Sequence, residues 1–148
     1  MVRIALAQTD ADILRCFPVL AELRPHLTGE QFLERIRPER EAGCHLAFLE
    51  DAGEIRCVAR YRFLENLAWG RFLYVDDLVT AEAARSKGWG QRLFDWLVGE
   101  ARHHGCEQLH LDSGVQRFGA HRFYLRQGMD ITCHHFALKL RGTAALRG

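Results

Sequence analysis

The stretch AARSKGWGQRLFDWLVGEARHHG, residues 83–105, decides how this chain is read. Leu93, Trp96, Leu97 and, one turn later, Ala101 recur at helical spacing and form one apolar stripe. Gly88 and Gly90 stand at the mouth of that helix, directly after Arg85, Ser86 and Lys87. Glycine is costly inside a helix, so its use here calls for a reason. A helix N-terminus leaves backbone N–H groups unpaired and carries positive partial charge. A loop without bulky side chains lets a phosphate approach those groups, and Arg85 and Lys87 add cationic attraction. A G-x-G alone equally fits an ordinary glycine loop closing against a strand.

The flanking segments supply the context. Upstream, HLAFLED, EIRCVARYRFL and RFLYVDDLVT read as three sequential strands, the first two joined by the turn DAGE and the last two by LAWG. Short links predict antiparallel pairing. Before them, Val2, Ile4 and Leu6 alternate in a first strand. Thr9 or Asp10 caps a helix carrying Ile13, Leu14, Phe17 and Leu20, with a kink or restart expected at Pro18. Thr28 caps a second helix carrying Phe32, Leu33 and Ile36, expected to end before Pro38. Downstream come the strand EQLHLDS, the helix QRFGAHRFYLRQ ended by Gly128, and a last strand over CHHFALKL, residues 133–140. The tail RGTAALRG is expected to fray. The order β-α-α-β-β-β-α-β-α-β predicts an α/β (α+β) fold: a mixed, mostly antiparallel sheet flanked by helices.

Length and composition bound the answer. The 148 residues fit a single domain, 1–148, with 48% hydrophobic and 26% charged residues. A net charge of +1 gives no support for a nucleic-acid partner. No apolar run approaches the roughly 18 residues of a membrane span, and the N-terminus lacks a secretion signal, so a cytoplasmic location is expected. Cys16, Cys44, Cys57, Cys106 and Cys133 are odd in number and scattered, which reads as buried reduced thiols. A zinc site from Cys133, His134 and His135 is disfavoured because neighbours on a strand point to opposite faces, so no metal is expected.

Two phosphate-binding motifs are absent. No G-x-x-x-x-G-K-[ST] run occurs, and the third glycine of a dinucleotide fingerprint is Leu93 here. R-x-x-G-x-G does occur, as Arg85-Ser86-Lys87-Gly88-Trp89-Gly90, between a strand and a long helix. With it, the sequence resembles the GNAT superfamily of acyl-CoA-dependent N-acetyltransferases. The helix segment AHRFYLRQGM resembles a second family signature, A-x-x-x-Y-x-x-x-G-F, with Ala120, Tyr124, Gly128 and Met129 in place. The resemblance runs from about Val2 to Leu140 and is most specific from Tyr74 to Met129. It departs from the usual pattern at Thr80, Glu82 and Arg117.

The resemblance implies a fold, a co-substrate and a reaction. Backbone amides of Arg85, Ser86, Lys87, Gly88, Trp89 and Gly90 would cradle the pyrophosphate of acetyl-CoA. Leu78, Val79 and Thr80 would pair with its pantetheine arm. The reaction would be direct attack of a small-molecule primary amine on the thioester in a ternary complex. It requires a base for the ammonium, a donor for the oxyanion and an acid for the thiolate. A strand N–H near Leu78 or Val79 suits the oxyanion. Tyr124 matches the acid, since a phenol of ordinary pKa near about 10 can protonate a thiolate. Asp76 matches the base in "YVDDLV", with Asp77, His134, His135 or water as alternatives. Strand alternation would send Asp76 and Asp77 to opposite faces. Transfer to a protein lysine or N-terminal amine, or a silent acyl-CoA-binding domain, are the competing functions. The resemblance also implies a homodimer, formed here through the last strand, whose Phe136, Leu138 and Leu140 would give an exposed edge to cover.

Overall fold

A computed structural model describes residues 1–142, in two compact units, Met1–His110 and Leu111–Gly148. All but the first two residues of the tail that was expected to fray lie outside the described residues.

The sheet runs in the order β1 (Val2–Leu6), β2 (His45–Asp51), β3 (Glu54–Asn66), β4 (Gly70–Thr80) and β5 (Gln108–Leu111). The pairs β1–β2, β2–β3 and β3–β4 are antiparallel, the last two as their short links predict. In β2, Leu46, Ala47, Phe48 and Leu49 are all buried, with no in–out alternation. Helices on both faces explain this. On one face α1 (Asp10–Leu23) and α2 (Gly29–Glu41) bring Ile13, Cys16, Leu20, Phe32 and Ile36 against Leu46, Phe48, Val58 and Val79. On the other, α3 (Trp89–His103) packs over β2, β3 and β4 through its buried Leu93, Phe94, Leu97 and Ala101. Trp96 reaches Tyr61 edge-on at a centroid distance of 6.0 Å.

The capping residues act as read. Thr9 accepts the Asp12 N–H, and Thr28 and Gln31 form a reciprocal capping box. The two prolines do not stop their helices. Pro18 lies inside a continuous α1, where burial of Ile13, Cys16, Val19 and Leu20 on one stripe outweighs the single missing hydrogen bond. Pro38 lies inside α2, whose last turn is closed by the Ala42 N–H on the Pro38 carbonyl at 3.0 Å and held by an ion pair between Glu39 and Arg60.

One irregularity shapes the site. Along β3–β4, Arg60 faces Asp77 but Tyr61 faces Val75, so β4 carries one extra residue, Asp76. A β-bulge of this kind redirects a side chain without breaking the sheet.

The second unit contains α4 (Phe118–Arg126), closed by Gly128 at φ 86° and by the Met129 N–H on the Tyr124 carbonyl at 3.2 Å. Upstream, His121 Nε2 lies 2.7 Å from the Gly114 carbonyl oxygen. The strand expected over 133–140 is not formed. Its period-two pattern is present, but a strand exists only where a partner completes its hydrogen-bond ladder, and none does so among the described residues. Phe136, Leu138 and Leu140 stand more than 80% exposed. Cys133 is exposed too, and Cys44 and Cys106 only partly covered, whereas Cys16 and Cys57 are buried as expected; all five are free thiols. Among the described residues no helix is long and apolar enough to cross a membrane.

Candidate active site

The loop between β4 and α3 combines a 3-10 turn with left-handed residues. A single 3-10 turn, Glu82–Ala84, is pinned to α1 by the Glu82 N–H on the Glu22 carboxylate at 2.8 Å. After it, Ser86 has φ 66° and Gly88 φ 81°, both left-handed. At Gly88 only glycine takes this conformation freely, and a Cβ there would meet nothing within 4 Å, so backbone geometry rather than crowding requires it. At Ser86 the same conformation is uncommon for a non-glycine residue. Left-handed residues set among ordinary ones turn successive N–H groups toward one side, a concavity suited to anions. Helix α1 has a threonine cap and acidic residues in its first turn, as does α2, whereas α3 has neither. Its N-cap, Gly88, has no side chain to cap the helix. Arg85, Ser86, Lys87 and Gly88 are exposed, and Trp89 and Gly90 half-buried. The Arg85 N–H is taken by the Glu82 carbonyl at 3.3 Å, and its guanidinium lies 3.9 Å from the Glu22 carboxylate.

The end of β4 that feeds this loop lies between β3 and β5 in the strand order. Leu78, Val79 and Thr80 pair with Ala59, Val58 and Cys57 of β3. On the opposite side lies β5, four residues long, against the eleven of β4. Its approach starts with the Glu107 N–H on the Arg71 carbonyl at 2.7 Å, at the far end of β4.

The two aspartates come together rather than apart. Asp77 accepts Arg24 Nε at 3.1 Å and Nη2 at 2.9 Å on one oxygen, and Arg60 Nη1 at 2.9 Å on the other. Asp76 accepts Arg62 Nε at 3.0 Å and Nη2 at 2.5 Å. The Cys44 thiol links the two pairs, with Asp76 Oδ2 at 3.7 Å and Arg60 Nη2 at 3.6 Å. This corrects the alternation expectation. The bulge turns Asp76 toward the side already occupied by Asp77, and a single polar cluster results. Burial, and then the Asp76 carboxylate, push the Cys44 thiol up to about 12, so it remains an S–H donor at neutral pH.

Burial separates the two pairs. The Asp77 side chain is 1% exposed and satisfied by two guanidinium groups. Removing a partner from a buried pair leaves an uncompensated charge and costs about 3–5 kcal/mol. The Arg62 side chain is 46% exposed. Its partner Asp76 is 17% exposed, so the pair is more open to water than the Asp77 cluster and opens at less cost. Asp77 is thus a clamp joining β4, β3 and the end of α1. Asp76 is the carboxylate that can be released to a ligand.

Tyr124 is half-buried on α4, its ring centroid 5.5 Å from that of Phe123. His134 and His135 are exposed, and His135 Nδ1 lies 3.5 Å from Asp112. Among the described residues no group of three or more His, Cys, Asp or Glu side chains could hold a metal ion. Sequence reasoning missed Arg24, Arg60, Arg62 and Cys44. A signal for two of them was available: Arg60 and Arg62 stand two apart on a strand, hence on one face, next to the hairpin partner bearing the aspartates.

The two pairs should respond differently to mutation. Asp77→Ala is expected to cost about 3–5 kcal/mol by urea unfolding, and Arg62→Gln less than about 1 kcal/mol. Equal losses would contradict the division into clamp and releasable pair.

Comparison with known proteins agrees with this geometry. The family model described as "Acetyltransferase (GNAT) family" matches residues 7–129. The chain is 34% identical over 123 residues to the uncharacterized N-acetyltransferase YhdJ of Bacillus subtilis, covering 81% of this chain and 86% of that protein. A shorter match, 39% over 54 residues, links 36% of this chain with 35% of the aminoalkylphosphonate N-acetyltransferase of Salmonella typhimurium. In structure, the aminoglycoside N-acetyltransferase AAC(6')-Iy solved with CoA superposes with a TM-score of 0.82 at 11% identity, over 95% of each chain. The open loop before an uncapped α3, on a mostly antiparallel sheet, is the setting in which these similarities fall, and the chain belongs to the GNAT family of acetyltransferases.

Proposed function

We propose that this acyltransferase moves an acetyl group from acetyl-CoA to the primary amine of a small molecule, by direct attack within a ternary complex. The observation that carries the reading is the uncapped, glycine-opened N-terminus of α3. Ser86, Lys87, Gly88, Trp89 and Gly90 would bind the pyrophosphate through their amides, and Arg85, whose own N–H is taken by the Glu82 carbonyl, through its guanidinium. Leu78, Val79 and Thr80 would pair with the pantetheine arm. A CoA-bound structural neighbour supports the co-substrate, and a relative named for aminoalkylphosphonates supports a small acceptor. The family match spans residues of both compact units, which supports one acetyltransferase domain. A cytoplasmic enzyme fits this reading.

In the proposed chemistry Asp76, directly or through water, takes a proton from the acceptor ammonium. The amine nitrogen then bonds to the acetyl carbon, and the carbonyl electrons move to oxygen, stabilised by a strand N–H near Leu78 or Val79. Collapse breaks the C–S bond, Tyr124 protonates the thiolate, and the new amide nitrogen gives up its extra proton to water. The role of Tyr124 rests on its place in the motif of α4. A homodimer is also proposed, because residues 133–140 hold a strand pattern without a ladder and expose three large apolar side chains that a second copy would cover.

Acetyl-CoA should raise the melting temperature by mass action, and Gly90→Val should weaken that effect without unfolding the protein. No shift at millimolar acetyl-CoA would contradict the assigned co-substrate. Tyr124→Phe should lower kcat by roughly 10²–10⁴-fold and leave acetyl-CoA affinity nearly intact. Asp76→Asn should also lower kcat, and its loss should shrink at high pH, where more acceptor is already neutral. The loss in Tyr124→Phe should not recover, because the thiolate still needs a proton. Wild-type activity of Asp76→Asn at every pH would remove Asp76 from the mechanism. Light scattering at micromolar protein should give twice the chain mass, and a monomer would reject the dimer.

A further inference from the structure

The polar cluster around the β4 bulge balances its charges. Arg24, Arg60 and Arg62 face Asp76, Asp77 and Glu39. Arg24 and Arg60 both serve the buried Asp77, and Arg60 also pairs with Glu39, so neither is available to a ligand without exposing a buried charge. Arg62 differs. Its side chain is half exposed, lies 5.8 Å from the Tyr74 ring centroid, and has Asp76 as its ion-pair partner. Asp76 is held from behind by the Cys44 thiol and the strand bulge, so Arg62, on its long side chain, is the member that can swing.

We propose that the acceptor is a zwitterionic amine, whose carboxylate or phosphonate is taken by Arg62 while its ammonium is taken by Asp76, the substrate splitting the ion pair that these two side chains make with each other. This rests on the acetyl-transfer reading above and names its acceptor class.

The argument is one of charge conservation. An ammonium bound at Asp76 must displace the Arg62 guanidinium. A plain amine leaves that guanidinium without an ion partner, and a diamine adds a further positive charge beside it. A zwitterion replaces each partner with one of the same sign, and the cluster stays balanced. Guanidinium also fits the acceptor chemically, since its planar fork binds carboxylate and phosphonate oxygens two at a time. Arg62 would therefore determine specificity. Asp76 would receive the proton, as in the reading already given.

The test compares 2-aminoethylphosphonate and β-alanine with ethylamine, ethanolamine, 1,4-diaminobutane and a lysine peptide, following free thiol release. The anionic amines are expected to exceed the others in kcat/KM by about tenfold or more. Arg62→Gln should erase that preference chiefly through KM, with an unchanged melting temperature, and Arg62→Lys should restore part of it. Equal use of all amines, preference for the diamine or the peptide, or a preference that survives Arg62→Gln would overturn the proposal while leaving acetyl transfer standing. Should no amine be consumed, calorimetry in the presence of CoA decides. Binding of 2-aminoethylphosphonate by the wild type and not by Arg62→Gln upholds the proposal and removes the transfer reading. Absence of binding overturns both.

Discussion

A single extra residue in β4 governs the chemistry of this unit. Without the bulge between Arg60 and Tyr61, Asp76 and Asp77 would lie on opposite faces of the sheet. With it, both reach the side on which α1 and α2 pack, and three arginines from separate elements meet them there. The sheet supplies the position, and the bulge supplies the direction. Burial then ranks the two carboxylates, because a charge with no exposure needs permanent partners whereas one near the surface can exchange them.

In the proposed reading the same strand links acceptor and co-substrate. Asp76 lies two residues before Leu78, and β4 runs on through Thr80 into the 3-10 turn and the open loop before α3. The buried Asp77 clamp ties this strand to β3 and to Arg24 at the end of α1, and Glu22 ties the turn to the same helix. These contacts anchor the strand and the turn from behind, independently of any ligand.

Much of this was legible in the sequence. Helical spacing located α3, alternation located the first strand, and Thr9 and Thr28 marked their helix starts. The G-x-G loop could be read because only glycine tolerates the conformation seen at Gly88. What escaped was tertiary in origin. Pro18 and Pro38 read as breaks because local propensity says nothing of the apolar stripe or the Glu39–Arg60 pair that carries each helix onward. The bulge left no mark in a period-two pattern, so the aspartates were assigned to opposite faces. The strand pattern of residues 133–140 shows the converse: alternation states a capacity to pair and cannot supply the partner.

The unequal standing of the two ion pairs is the central claim, and double-mutant cycles measure it directly. Urea unfolding of the single and double alanine variants gives the coupling free energy of Arg60 with Asp77 and of Arg62 with Asp76. The account predicts coupling of about 2 kcal/mol or more for the buried pair and less than about 1 kcal/mol for the half-exposed one. Coupling as strong between Arg62 and Asp76 as between Arg60 and Asp77 would contradict it, since a substrate could not then open that pair cheaply.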